Sequence, residues 1–383
     1  MLFLMGPRQV GKTTSARRGA ADSGAAVYLN WDNGDDRQRI LAGPAAIAEA
    51  LGLDRLRENL PICTLDELHK FGRWKGLLKG LFDTYGDQAR FIVTGSARLD
   101  VFKAGGDSLM GRYFGYRMHP LSVAELLAPQ ASGAIRPPAP LGAGAFADLL
   151  QFGGYPEPLL RADTRFWRRW SRTRVQQLFK EDLRSLTQVR ELGQVETLAE
   201  LIRQQCGQLT SYASLARAIS ASVDSVRRWI GILESLYFCY AIRPWSANVA
   251  RSLRKEPKYY LWDWSQAPDA GSRAENMVAS ALLKAVHLWS DDGAGDFGLF
   301  FLRDKQQREV DFVVVRDGRP WFLVEVKSSG RVSLSPALHL FQRQTGALHA
   351  LQVALDLPYI ERDCFAHSQP IIVPAQTFLS QLV

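Results

Sequence analysis

The 383-residue sequence predicts an α/β protein in successive parts: a P-loop NTPase core, a winged helix-turn-helix, and a C-terminal α/β domain of restriction-endonuclease shape. Three observations predict it. The run Gly6-Pro7-Arg8-Gln9-Val10-Gly11-Lys12-Thr13 lies between an apolar strand and a helix. Three helical segments, the last preceded by Ser222, run into two short strands. Towards the end of the chain Glu275 lies on a helix, and Asp311, Glu325 and Lys327 lie on two strands joined by an Asp-Gly turn.

The first strand is Leu2-Phe3-Leu4-Met5, and the first helix begins at Thr13 and runs to Gly19. Between them the glycines let backbone N–H groups wrap phosphates, Lys12 reaches the β/γ-phosphates, and the Thr13 hydroxyl ligates Mg²⁺. Gly6 to Thr14 is therefore the expected ATP-contacting segment, with the phosphates on a helix N-terminus. A glycine turn with a chance lysine would not need the strand before it and the helix after it.

A second strand, Ile62-Cys63-Thr64-Leu65, runs into Asp66 and Glu67. Asp66 is expected to hold Mg²⁺ and Glu67 to polarise the attacking water. A third, Phe91-Ile92-Val93-Thr94-Gly95-Ser96, ends in hydroxyls. Thr94 or Ser96 is a candidate sensor of the γ-phosphate, the alternative being a plain Gly-Ser turn. Arg112, in the glycine-containing stretch Ser108-Leu109-Met110-Gly111-Arg112, is a candidate finger on transition-state charge, in cis or from a neighbouring subunit. A structural arginine is the alternative.

The strings GPRQVGKTT, LDELHKFGRW, TGSARL, GRYFGYRMHPLSVAEL and GGYPEP occur in the order seen in a widespread group of bacterial and archaeal AAA-type ATP-binding proteins with a C-terminal domain of unknown function. The chain resembles that group over essentially its whole length. The resemblance implies ATP binding and the roles already given to Lys12, Thr13, Asp66 and Glu67. It also marks Gly153-Gly154-Tyr155-Pro156-Glu157 as the segment after the core, where the residues alone indicate only a turn. Members carry a few dozen residues before the loop that help hold the base; here Gly6 is almost the first residue, which implies a truncated or misassigned start.

Beyond the core, Pro129 to Ala145 reads as a Pro/Gly/Ala-rich loop. Phe166 to Arg190 has helical spacing with an arginine-rich face, at the position where AAA-type proteins hold a helical lid. From Val195, helices over Thr197–Gln205, Tyr212–Ile219 and Val223–Leu236 are expected. Ser222 is a natural N-cap for the last, and Asp224, Arg227 and Arg228 face outward. Strands Tyr237–Ile242 and Tyr259–Trp262 would form a wing. The DNA reading sets the third helix in the major groove and the wing arginines on phosphates; the rival is a winged helix used for protein contacts.

In the last part a helix over Arg273–Leu288 carries Glu275, the strand Glu309–Val315 carries Asp311, and Trp321–Lys327 ends in Glu325-Val326-Lys327. The pattern resembles the PD-(D/E)xK nucleases, in which acids hold Mg²⁺ and a lysine positions the water. Glu325 and Lys327 share a strand face. A two-residue Asp317-Gly318 turn pairs Asp311 with Val324 and points it away from Glu325. A three-residue Arg316-Asp317-Gly318 loop pairs Asp311 with Leu323 and brings it to the Glu325 face. Arg303 and Arg308 are candidate phosphate contacts. A nuclease fold without cutting activity, with Glu325 and Lys327 as an ion pair, is the alternative.

The expected domains are 1–126 (ATPase core), 127–192 (linker and lid), 193–264 (winged helix) and 265–383 (nuclease-like). A net charge of +8, concentrated in Arg161–Arg190 and in Arg227–Lys258, points to a polyanion such as DNA. Four scattered cysteines without CxxC spacing argue against zinc and disulfides and for a cytoplasmic protein. No apolar run reaches the roughly 18 residues of a membrane span. Function is accordingly expected to be Mg²⁺-dependent ATP hydrolysis coupled to DNA binding, with a homo-oligomer as a further possibility. The alternatives are an ATP-gated nuclease and a non-catalytic, ATP-switched protein-interaction module.

Overall fold

The computed structural model describes residues 1–21, 26–55, 59–95, 109–128, 135–183, 191–246 and 256–383. The chain divides into two compact units, Met1–His119 and Pro120–Val383. Ser96 and part of each basic run (residues 184–190 and 247–255) lie outside the described residues.

The first unit is a five-stranded parallel sheet in the order β2-β3-β4-β1-β5: β1 (Leu2–Met5), β2 (Ala26–Asn30), β3 (Ile62–Asp66), β4 (Arg90–Gly95) and β5 (Phe114–Arg117). Helices α1 (Lys12–Ala21), α2 (Gly34–Ala42), α3 (Pro44–Leu51) and α4 (Trp74–Tyr85) make the crossovers. Parallel strands buried on both faces need near-continuous apolar sequence, and Phe3, Leu29, Leu65, Phe91 and Val93 supply it against Ile40, Ile47, Trp74 and Leu78. Side chains of α4 at helical spacing (Trp74, Leu77, Leu78, Leu81) form its buried face. This order places β4 between β1 and β3. The phosphate-loop strand and the Asp66 strand thus flank the strand that carries Thr94, and their carboxyl ends share one edge, where open α/β sheets bind ligands.

The second unit opens with α5 (Val123–Leu127), α6 (Ala143–Phe152), α7 (Pro156–Arg161) and α8 (Thr164–Gln177), the last continuing into a π-helical turn, Leu178–Leu183. Then come α9 (Leu192–Gln204), α10 (Tyr212–Ala218) and α11 (Val223–Ser235), with the Ser222 hydroxyl accepting from Ser225 N as the N-cap. Strands β6 (Cys239–Pro244) and β7 (Lys258–Leu261) pair antiparallel. They do not stand apart as a wing: β6 also pairs parallel with β8 (Phe297–Arg303). The result is one seven-stranded mixed sheet, β12-β11-β10-β9-β8-β6-β7. Its other strands are β9 (Glu309–Arg316), β10 (Arg319–Lys327), β11 (His349–Ala354) and β12 (Ile371–Pro374), with helices α12 (Ala270–Asp291), α13 (Pro336–Thr345) and α14 (Ala375–Ser380). One hydrophobic core runs from Val195 in α9 through Trp229 and Tyr260 to Phe312 and Phe378, across the expected 264/265 boundary.

The β9–β10 hairpin follows neither anticipated register. Asp317 and Gly318 form a two-residue turn with φ of 50° and 77°, the double positive φ of a type I′ turn. An extra residue at Trp321 then bulges, so Phe322 pairs with Val314 and Val324 with Phe312. Glu325 and Asp311 are the next residues beyond that last pair and fall on a common face.

The GGYPEP segment is a packing node. Leu121 N donates to Gly154 O at 2.7 Å, and a Cβ on Gly154 would stand 2.4 Å from Leu121 O and 2.6 Å from the Trp264 ring. Gly153 has φ +81° and abuts Asp263. Tyr155 is fully buried, its hydroxyl bonded to Arg174, whose guanidinium also lies 4.1 Å from the Tyr155 ring centroid and 3.7 Å from Asp263. Burial raises the Asp263 pKa, with Arg174 opposing.

Candidate functional site

The loop Gly6–Gly11 turns from β1 into α1. Gly6 must be glycine: an added Cβ would sit 2.4 Å from Met118 O. Gly11 (φ +106°) and Gln9 (φ 64°) complete the bend, so the loop's amides curl ahead of the α1 N-terminus. Lys12 is buried, and its ammonium donates to Gly6 O at 2.9 Å and Pro7 O at 2.6 Å. Burial lowers its pKa to about 8, against the raising influence of Glu67 and Asp66. Thr14 is exposed and Val10 buried.

Asp66 closes β3 and is the hub of the site. Its Oδ2 accepts from the Thr13 hydroxyl at 2.9 Å and from the Tyr28 hydroxyl; its Oδ1 accepts from Thr94 Oγ1 and, at 3.1 Å, from Glu67 N. Burial works to raise the Asp66 carboxyl, but the Thr94, Tyr28 and Thr13 hydroxyls outweigh it and hold it below the usual carboxylate range. Thr94 is therefore engaged in orienting Asp66. Tyr28, which the sequence does not flag, sits on β2 opposite Thr64, two residues before Asp66 on the same strand face. Glu67 takes φ 55°, left-handed for a side-chain-bearing residue, so its carboxylate leaves the strand direction. It lies 3.4 Å from Lys70 and 3.8 Å from His69, and Lys70 also pairs with Asp32 at 2.6 Å. Arg112 forms two bonds to Asp83 at 2.7 and 3.0 Å, a structural pairing on α4.

The donor set fits MgATP. A hydroxyl and an ionised carboxylate meet at 2.9 Å where the metal's protein ligands are needed, beside a buried ammonium and a helix N-terminus.

A second cluster gathers in the second unit. Lys327 Nζ donates to Glu325 Oε1 at 2.8 Å, Asp311 Oδ2 accepts from Val326 N at 2.8 Å, and Tyr260 OH donates to Glu275 Oε1 at 2.7 Å. Lys258, the end of the second basic run, is buried here, 2.5 Å from Glu309 and 3.7 Å from Glu275. Burial and the nearby Asp311 carboxylate push both Glu275 and Glu325 up to about 7. Burial also raises Asp311. The Lys258 ammonium is disfavoured by burial, but Glu275, Asp311 and Glu309 more than compensate and raise its pKa. Glu325 Oε2 is buried without a hydrogen-bond partner, an orphan acceptor suited to a cation or a proton. Among the described residues, however, no three His, Cys, Asp or Glu side chains stand together as a metal-holding group. The two lysines supply the counter-charge. Arg303 and Arg308 pair with Glu309 and Asp304, each at 2.6 Å. No described helix is long and apolar enough to cross a membrane.

Residues 1–127 match the family model of the AAA domain, residues 143–269 a domain of unknown function (DUF8612), and residues 270–355 another (DUF4143). Uncharacterized proteins of Mycobacterium bovis and Mycobacterium tuberculosis are each 24% identical over 99% of this chain and 81% of their own length. Among solved structures, AMPPCP-bound DnaA from Aquifex aeolicus aligns at 15% identity over 61% of this chain and 81% of that one, with a TM-score of 0.30. The AAA match and the parallel sheet with its loop after β1 make the N-terminal unit an AAA-type P-loop core.

Proposed function

We propose that the chain is a cytoplasmic, Mg²⁺-dependent ATPase whose nucleotide cycle is coupled to nucleic-acid binding. The observation that carries the ATPase reading is the convergence of Thr13, Tyr28 and Thr94 on the Asp66 carboxylate, beside Lys12 in the glycine loop. Lys12 exchanges its contacts with the loop carbonyls for phosphate oxygens, and the loop amides hold the phosphate chain. Thr13 and Asp66 would hold Mg²⁺, which when bound neutralises phosphate charge. Glu67 orients the attacking water and accepts its proton, while Lys70 and His69 hold the Glu67 carboxylate in place. Arg112 acts as a finger only by leaving Asp83, for instance when a second subunit docks.

The test is the ATPase rate with and without duplex and single-stranded DNA at two salt concentrations, wild type beside Glu67→Gln. The expected result is a loss of at least about 100-fold in Glu67→Gln, the usual scale for removing a general base, with nucleotide binding retained. A Glu67-independent rate removes the assignment. A rate indifferent to DNA at both salts removes the coupling and leaves the protein-interaction module.

A second reading, an ATP-gated nuclease, is favoured by Asp311 and Glu325 on one sheet face, by Lys327 bonded to Glu325 and by the orphan Glu325 oxygen. The carboxylates would hold a divalent cation and Lys327 would position water. It predicts cleavage that is lost in Lys327→Ala while ATP binding persists. No cutting of DNA or RNA with Mg²⁺ or Mn²⁺ removes it.

A further inference from the structure

Helix α8 has two sharply different faces. Inward, Trp167 Nε1 donates to Ser265 Oγ at 3.0 Å, Trp170 is buried, Ser171 accepts from Gln266 at 2.8 Å, and Arg174 is fixed on Tyr155 and Asp263. Outward, Arg165, Arg168, Arg169 and Arg172 recur at i, i+3, i+4 and i+7, so they share one face. All four are exposed. Among the described residues none of them has an acidic partner.

The arginines of α11, where sequence patterning puts DNA contact, are already occupied. Arg228 is bonded to Glu191 at 3.0 and 3.1 Å, and Arg227 lies over the Tyr212 ring at 5.4 Å. Of these two helices it is α8 whose outward arginines, among the described residues, carry no acidic partner.

Beside that face opens a cleft of about 660 Å³, with Arg168, Arg172 and Lys180 at its rim and Val175, Phe179, Phe238 and Leu261 among its apolar walls. Two further charge pairs line it, Arg203 with Glu200 at 2.5 Å and Arg174 with Asp263, and Glu196 adds one carboxylate. A cationic rim over aromatic walls suits a group with an anionic edge and a flat apolar body, the form of a nucleotide. Arg165 and Arg169 lie on the same face but do not line the cleft, so the ligand extends beyond it. The four arginines span about 10 Å of helix rise, long enough to follow consecutive phosphates of one strand.

We infer that α8 is the nucleic-acid tract of this protein: a single strand lays its phosphates along Arg165, Arg168, Arg169 and Arg172 and turns a base into the adjoining cleft. Paired bases cannot enter the cleft without leaving the duplex, whereas an unpaired strand delivers them freely. The inference rests on the nucleic-acid half of the proposed function and moves its contact surface from α11 to α8.

The experiment is fluorescence anisotropy on the full chain at 50 and 200 mM salt. The probes are a labelled 20-nucleotide oligothymidylate, an abasic oligonucleotide of the same length, and a 20-base-pair duplex. Wild type should prefer oligothymidylate over the duplex, and over the abasic strand by at least tenfold. Arg168→Ala/Arg172→Ala should lose at least tenfold affinity and lower the salt slope by about 1.4, two phosphates at about 0.7 each. Arg227→Ala/Arg228→Ala should stay within twofold; all these residues are exposed, and matched thermal melts verify that both pairs fold. If the α11 pair carries the loss and the α8 pair does not, the tract is overturned while the nucleic-acid reading stands. If the abasic and thymidine strands bind equally, base entry into the cleft is overturned. No salt-sensitive binding to any probe overturns both readings.

Discussion

Lys12 illustrates how one residue's environment sets a measurable property of the site. Its ammonium is held near 8 by burial, well below the unfolded value, so in the free protein it begins to lose its proton just above neutrality. Phosphate contact requires the charged form. Affinity for metal-free ATP should therefore be flat below about pH 8 and fall by up to about tenfold per pH unit above it, one proton being taken up on binding. Fluorescent-nucleotide titration from pH 6.5 to 9.5 checks this; a flat profile would place the free Lys12 pKa above the range. Lys258 gives the converse case. Replacing it by Met leaves Glu309 and Glu275 without their buried counter-ion, at a cost of about 3–5 kcal/mol. Glu275 and Glu325 have folded pKa values raised to about 7, so they take up protons on acidification. The deficit should consequently be largest at pH 8 and shrink at pH 6, as read by urea unfolding at both. That Lys12, Thr13 and Asp66 would come together was legible in the sequence, because a contiguous motif and a strand end announce them. Tyr28, Lys258, Tyr260 and Glu309 were not, because their roles come from neighbouring strands and so depend on a sheet order that no local pattern encodes.

Among elements, the Gly153–Pro158 segment shows how a turn signal can understate a constraint. Gly154→Ala drives a methyl into Leu121 O and the buried Trp264 ring, and should cost about 1–3 kcal/mol or more. Gly144→Ala, in α6 with open space around the added methyl, should instead stabilise by about 0.5–1 kcal/mol. Paired urea melts separate the two, and equal effects would contradict the packing account. The elements themselves were largely readable: β1 spans the expected four residues, and α10 and α11 begin where expected, the latter at its Ser222 cap. The hairpin register was not. Both turns considered at sequence level assume an unbroken ladder, and the bulge at Trp321 adds the one residue that changes which side chain faces Asp311. The two strands assigned to a wing likewise pair with each other as expected, but β6 has a further neighbour that was not foreseen. Pairing of β6 with β8 through Arg243 and Pro244 is long-range and leaves no periodicity in either strand.

At the scale of the whole molecule, each unit has its own core: Phe3, Leu65 and Val93 with the surrounding helices in Met1–His119, and Trp229, Tyr260 and Phe312 with their neighbours in Pro120–Val383. The residues proposed to hold nucleotide all belong to the first unit; α8, its cleft and the carboxylate–lysine cluster all belong to the second. Ligand binding stabilises what it binds, by about 2.7 kcal/mol at a hundredfold excess over Kd. For a unit of this size that is a rise on the order of 10 °C in its melting temperature. Calorimetry with MgATP should therefore raise one of two transitions and leave the other in place, while Gly154→Ala should lower the other and leave the nucleotide-sensitive one unmoved. If MgATP and Gly154→Ala shift the same transition, the two units unfold as one body. Nucleotide binding would then stabilise the α8 face directly, which is the thermodynamic condition for an ATP site in one unit to regulate a nucleic-acid tract in the other. Separate transitions would instead require that coupling arise only when both ligands are bound, and a shift of the ATP-sensitive transition by oligothymidylate in the presence of MgATP would then be its signature.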